Sequence, residues 1–231
     1  GTSMQGFDTD TLTVKATASR NGYQYRCVIT CGDGSQVLSD VATLSVIMPE
    51  AVITQQPSDQ AAVSGGIAKF RVVASDAVSY RWQYRRNENE EWFGTSMDGY
   101  RTNVLTVSVT DGRDGYEYRC VITGMDGTQV ISQPASLHVL QLVSQPADQI
   151  GAAGGKAVFS VAVSDADAVS YRWEYCRAGT DDWHNTSMEG YHTDTLVVAV
   201  TENRNGYRYR CVITDATGTE MITEPATLTV E

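Results

Sequence analysis

Short runs of alternating apolar and polar residues, broken every few positions by Gly, Asp, Asn or Ser, cover this 231-residue chain from end to end. Such runs read as half-buried β-strands, and no stretch carries a helical period. In the middle of the chain the pattern predicts strands over Ala68–Ala74, Ser79–Tyr84, Val104–Val109, Tyr116–Thr123 and Ala135–Val139. Successive side chains of a strand point to opposite faces. Alternation therefore puts Phe70, Val72, Tyr80, Trp82, Leu105, Val107, Tyr116, Tyr118, Cys120, Leu137 and Val139 on one apolar side. Strands of this number and kind predict two antiparallel sheets packed face to face, an all-β sandwich.

The pattern repeats. Gly-Tyr-Xaa-Tyr-Arg-Cys-Val-Ile-Thr occurs at Gly22–Thr30, Gly115–Thr123 and Gly206–Thr214, so Cys27, Cys120 and Cys211 are 93 and 91 residues apart. A fixed long period over one apolar skeleton marks a repeated structural unit. The third copy carries the skeleton as Phe159, Val161, Tyr171, Trp173, Leu196, Val198, Tyr207, Tyr209, Cys211, Leu228 and Val230. Residues 51–139 and 141–231 read as complete units, and residues 1–47 as a unit with its later strands only. Gly1–Gly6 aligns with Gly94–Gly99 and Asn185–Gly190, so the first copy starts in its middle and the chain reads as a piece of a longer protein. Without opposing strands, Leu12, Val14, Tyr25, Cys27, Leu44 and Val46 would stand uncovered. Burying each large apolar side chain is worth about 1.5–3 kcal/mol, which predicts self-association through residues 1–47.

A core Trp, a Leu-x-Val strand and then Asp114-x-x-x-Tyr118-x-Cys120 resemble the immunoglobulin pattern. That resemblance assigns Tyr25, Tyr118 and Tyr209 to the tyrosine corner, where the phenol bonds backbone a few residues upstream. It also exposes a departure. The positions from which an earlier Cys would bridge to Cys120 and Cys211 hold Val72 and Val161. The missing bridge would close a 48-residue loop, forfeiting about 4 kcal/mol of chain-entropy stabilisation. A buried Cys120 against Trp82, and Cys211 against Trp173, would then act as small hydrophobes. With Tyr80-Arg-Trp-Gln-Tyr84, Trp92 and the Ala226-Thr-Leu-Thr-Val230 ending, the chain resembles the tandem immunoglobulin-like repeats of bacterial surface and secreted proteins, in a form lacking the disulfide. The resemblance implies a non-catalytic spacer, stalk or adhesion module at the cell surface or outside it. Its partner would be a protein or glycan on another cell or within the same surface assembly. The short joins at Met48–Glu50 and Leu140–Leu142 predict stiff, extended stacking.

The net charge of −11 argues against a nucleic-acid partner, which selects concentrated positive charge. No apolar run is long enough to predict a membrane span. No nucleophile motif, phosphate loop or dinucleotide fingerprint is present, and the three His do not recur between copies, so neither catalytic residues nor a cofactor are expected. Cys176, Asp181, Asp182, His184 and His192 have metal-ligand chemistry but no dense ligand spacing, and no metal is expected there. The acidic runs Asn87–Glu91 and Asp165–Asp167 read as solvated loops. Cys31 and Cys176 occur in single copies and are expected to be exposed and oxidisable. Asn185-Thr186-Ser187 has the form of a glycosylation sequon.

Two ligand surfaces remain. Trp92 and Trp183, each followed by a Tyr at Tyr100 or Tyr191, have the makings of a sugar-stacking platform, and the alternative reading is a carbohydrate-binding module accessory to an enzyme. The same rings also suit packing against a loop. Arg81, Arg119, Arg172 and Arg210, with Arg26, fall on the outward face of their strands. They would read an anionic glycan, or else pair across the sheet with Gln83, Glu117 or Glu174.

Overall fold

The computed structural model describes residues 4–231; the alignment of Gly1–Ser3 with the later copies lies outside the described residues. Residues 51–140 form a two-layer immunoglobulin-like sandwich. In one layer the order is Phe93–Gly94, Ala77–Arg85, Glu117–Gly124, Ala135–Leu140, Gln60–Val63, and Gln129–Ile131 also pairs with Glu117–Gly124. All neighbours are antiparallel except Ala135–Leu140 with Gln60–Val63. The other layer holds Ile67–Arg71 against Val104–Ser108 and Val52–Gln55 against Val73–Ser75.

The first strand is thus divided between the layers, and Pro57 sits at the crossing, where its missing N–H breaks no ladder. Side chains anchor the crossing: Gln56 Oε1 accepts from Gln133 N–H at 2.9 Å and Asp59 Oδ1 from Ser136 N–H at 2.7 Å. Gln145 and Asp148 repeat both contacts in the next unit, on Glu224 and Thr227.

Between the layers, Phe70, Val72, Trp82, Leu105, Val107, Tyr118, Cys120 and Leu137 are completely buried. Tyr80 and Tyr116, assigned to the same side by alternation, lie at the rim and are only partly buried. Trp82 and Cys120 are direct cross-strand partners, and the indole N–H donates to Thr102 O at 2.9 Å. Residues 141–231 repeat the architecture around Phe159, Trp173, Leu196, Val198, Tyr209, Cys211 and Leu228, with Trp173 bonding Thr193 O. Val72 and Val161 stand in these cores, and all five cysteines are free thiols.

The phrase Thr-Ser-Met-Xaa-Gly has a backbone reason. Gly99 has φ +76°, and a Cβ there would lie 2.0 Å from Val104 O. Only glycine admits that approach.

Residues 4–50 are different. They form two small ladders, Gln24–Tyr25 with Ala42–Thr43 and Val28–Thr30 with Gln36–Leu38, and none of these residues is buried. Leu12, Val14, Tyr25, Leu44 and Val46 are half-exposed and Cys27 is exposed, whereas their counterparts Leu105, Val107, Tyr118, Leu137, Val139 and Cys120 are in the core. Leu12–Val14 forms no strand, because the described residues supply no equivalent of Ile67–Arg71 to pair with it.

The tyrosine corner is corrected by the structure. The phenol oxygens of Tyr25, Tyr118 and Tyr209 are buried without a hydrogen-bond partner. The Tyr118 ring instead packs on Phe70 with centroids 4.6 Å apart, and Tyr209 on Phe159 at 4.8 Å. Two neighbouring residues hold the corner: Asp114 Oδ1 accepts from Val139 N–H at 2.8 Å, while the Arg113 guanidinium donates back to Ser108 O. Asn205 with Arg204, and Asn21 with Arg20, make the same clamp. Its sequence signal, Arg-Asn/Asp-Gly-Tyr in all three copies, precedes the phrase that marks the repeat.

Candidate functional site

The outward face of the larger sheet gathers the predicted arginines and tryptophans. Register sets this arrangement: Arg85, Gln83 and Arg81 stand opposite Glu117, Arg119 and Val121. Trp92 follows the long strand and folds over this row, half-buried, with the Arg119 guanidinium 4.2 Å and that of Arg85 4.8 Å from its ring. Arg85 pairs with Glu117, and Arg119 Nε donates to Gln83 Oε1 at 2.9 Å. Burial, then the nearby Arg85 charge, lowers the Arg119 pKa.

In the following unit Trp183 lies 4.1 Å from the Arg210 guanidinium and 5.6 Å from that of Arg208. Glu174, nearly buried, accepts from Arg210 at 2.8 Å and from Arg172, which also reaches Asn185 at 2.8 Å and Glu220 at 3.3 Å. Burial alone would lower the Arg172 pKa; hydrogen bonds and charge from Glu174 and Glu220 more than reverse this and raise it. Asn185, the sequon residue, is thus an acceptor for Arg172.

Both tryptophans are therefore layered against guanidinium groups, cation–π contacts worth about 0.5–2 kcal/mol each. Tyr100 is half-buried, with Arg101 at 5.1 Å and Arg81 at 5.9 Å from its ring. Tyr191 is exposed and its ring lies 4.0 Å from that of His192, tilted by 40°; His192 Nδ1 is 3.1 Å from Tyr171 O. Gln83, Glu117 and Glu174 are the cross-strand partners of Arg119, Arg85 and Arg210.

Cys120 and Cys211 are fully buried, and burial pushes each thiol up to about 12. Cys176 corrects the expectation of exposure. It replaces Arg85 on the outward face, and the shorter side chain is fully buried there beneath the following loop, with Sγ 3.0 Å from Thr180 O. Arg208 closes over it and bonds Asp181 at 2.7 Å. Cys31 is exposed. Among the described residues no three His, Cys, Asp or Glu side chains converge as a metal site, and no helix is long and apolar enough to cross a membrane.

One contact between units was not visible in the strand pattern. Asp215, 5% exposed, accepts from Val63 N–H of the preceding unit through Oδ2 at 2.8 Å. Its Oδ1 accepts from Thr217 N–H, Thr217 Oγ1 and Thr219 N–H at 2.8, 2.7 and 3.0 Å. The corresponding residue of the preceding unit is Gly124, where a Cβ would lie 2.5 Å from Ala51 N.

No family model matches the chain. Endoglucanase C of Cellulomonas fimi is 31% identical over 199 residues, which cover 84% of this chain and 17% of that protein. The chain thus spans about a sixth of the length of this curated relative. Among solved structures, an I-band fragment of titin is similar with TM-score 0.43 and 14% identity, covering 80% of this chain and 66% of that one. Extracellular domains 3–5 of Drosophila OTK are similar with TM-score 0.38 and 16% identity, covering 90% and 70%. DIP-gamma IG1+IG2 gives TM-score 0.40 and 13% identity, covering 79% and 98%.

Proposed function

We propose that the chain is a non-catalytic, semi-rigid series of immunoglobulin-like units in an extracellular bacterial protein, at the cell surface or secreted, spacing or presenting other domains and serving adhesion. The joint carries this reading. Ala135–Leu140 ends one residue before Leu142–Ser144 begins, and the Asp215 carboxylate is buried against Val63 across the junction. So short a connection with a buried charged hydrogen bond resists bending. The likeness to Endoglucanase C supports a part within a larger protein, since the shared stretch is 17% of that relative. Fluorophores on residues 51–140 and 141–231 test it by single-molecule energy transfer: one narrow distance population is expected, and a broad one overturns the rod.

The same likeness favours a second reading, carbohydrate binding through Trp92 and Trp183. Against it, each ring already carries guanidinium groups. Saturable binding of cello-oligosaccharides that is lost in folded Trp92→Ala and Trp183→Ala variants would replace the spacer with the binding module.

A further inference from the structure

Equivalent arginines meet different surroundings in the two complete units. Arg172 is enclosed by Glu174, Asn185 and Glu220. Its counterpart Arg81 meets Gln83, Gly94 and Gln129 at those three positions, so both carboxylates are replaced by neutral amides on an unchanged scaffold. Arg101 adds a second cation where the other unit has His192. Among the described residues the guanidinium groups of Arg81 and Arg101 make no hydrogen bond or ion pair; both lie within 6 Å of the Tyr100 ring centre. They border an open groove of about 680 Å³, also lined by Tyr80, Gln83 and Gln129. In a chain with a net charge of −11 this is a local concentration of uncompensated positive charge.

We propose that this groove binds the carboxylate of an acidic glycan, a uronate residue held by Arg81 and Arg101. Arginine presents a planar fork of donors that matches a carboxylate. Gln83 spends its oxygen on Arg119, leaving its amide N–H groups as donors, and Gln129 adds amide donors and an acceptor for sugar hydroxyls. The floor favours a glycan over an acidic peptide. Beside the two arginines its lining offers Ser79, Gln83, Thr123 and Gln129, neutral hydroxyls and amides that match the hydroxyls of a sugar ring. The inference does not depend on the spacer reading, because a semi-rigid unit carries such a groove as readily as a flexible one.

Calorimetry of the 231-residue chain with a short oligogalacturonate, a neutral cello-oligosaccharide and a glutamate peptide tests the assignment. Saturable binding of the uronate alone is expected, weakening as sodium chloride is raised. The Q83E/Q129E double variant restores the counter-charges of the other unit and should bind about tenfold or more weakly, the effect of losing one charged hydrogen bond. R101H, carrying the other unit's residue, should also bind more weakly. Both variants use residues the same fold already accommodates, and unchanged circular dichroism checks this. Absence of uronate binding, equal binding of the neutral sugar, or unchanged affinity in Q83E/Q129E overturns the proposal. Tighter binding of the glutamate peptide overturns it in favour of a protein partner.

Discussion

Removing the Asp215 carboxylate should destabilise both its own hairpin and the junction between units, and the two effects are separable. Asp126 provides the reference: in an exposed hairpin of the preceding unit it accepts only from Thr128, through N–H at 3.0 Å and Oγ1 at 2.8 Å. Asp126→Ala therefore removes a local turn contact, about 0.5–1 kcal/mol at an exposed site. Asp215→Ala removes comparable bonds to Thr217 and Thr219 and also leaves the buried Val63 N–H without an acceptor. Stranding a buried donor costs about 1–3 kcal/mol. The difference between the two losses, read by urea unfolding of 231-residue variants, should thus be about 1–3 kcal/mol. Distance distributions between the units should broaden only in Asp215→Ala. Acid should mimic the substitution: burial pushes the Asp215 pKa up, but bonds from Thr217, Val63 and Thr219 outweigh it and hold it below the usual carboxylate value. A depressed folded-state pKa stabilises above the unfolded pKa, and the contribution is lost as pH falls through the folded value. The junction should therefore be intact at neutral pH and loosen below about pH 4. Equal losses in the two variants, with an unchanged distance distribution, would refute the joint.

Tyr118→Phe should leave stability unchanged or raise it by about 1 kcal/mol, because the deleted hydroxyl is buried and unbonded; a loss above about 1 kcal/mol on urea unfolding would restore the hydrogen-bonded corner. Native thiol titration should modify Cys27 and Cys31 quickly, and Cys120, Cys176 and Cys211 only on unfolding; rapid modification of Cys176 would refute its cover by Thr180 and Arg208. Light scattering should find the 231-residue chain self-associated and a chain starting at Ala51 monomeric, since Val28, Ile29, Val37, Leu38 and Val41 are each about half exposed. Two monomers would sink that association.

Alternation made the sandwich legible because the buried face of each strand is a local property of its sequence. Trp82, Tyr118 and Cys120 follow from period two and the repeat alone. The corner was harder. The position of Tyr118 is readable, but what its oxygen meets depends on how Arg113 and Asp114 occupy nearby backbone, and those two side chains took the polar work. Strand register decides the outer face in the same way. Trp92 becomes half-buried only because Arg85 and Arg119 arrive from separate strands, and Cys176 is covered because Thr180 and Arg208 close over it.

The functional residues that escaped the pattern share a physical cause. Asp215 sits in a turn, reads as one more solvated acid, and acquires its role from Val63, 152 positions away in the preceding unit. Gln83 and Gln129 are unremarkable as residues, and their meaning lies in the carboxylates that the other unit holds at the same places. Where a core repeats, the positions that differ outside it distinguish the units: one guanidinium is neutralised within its own sheet, and its counterpart remains open to a ligand. Restoring Glu at positions 83 and 129 should make the second behave as the first, with Arg81 ion-paired and the groove closed to anions.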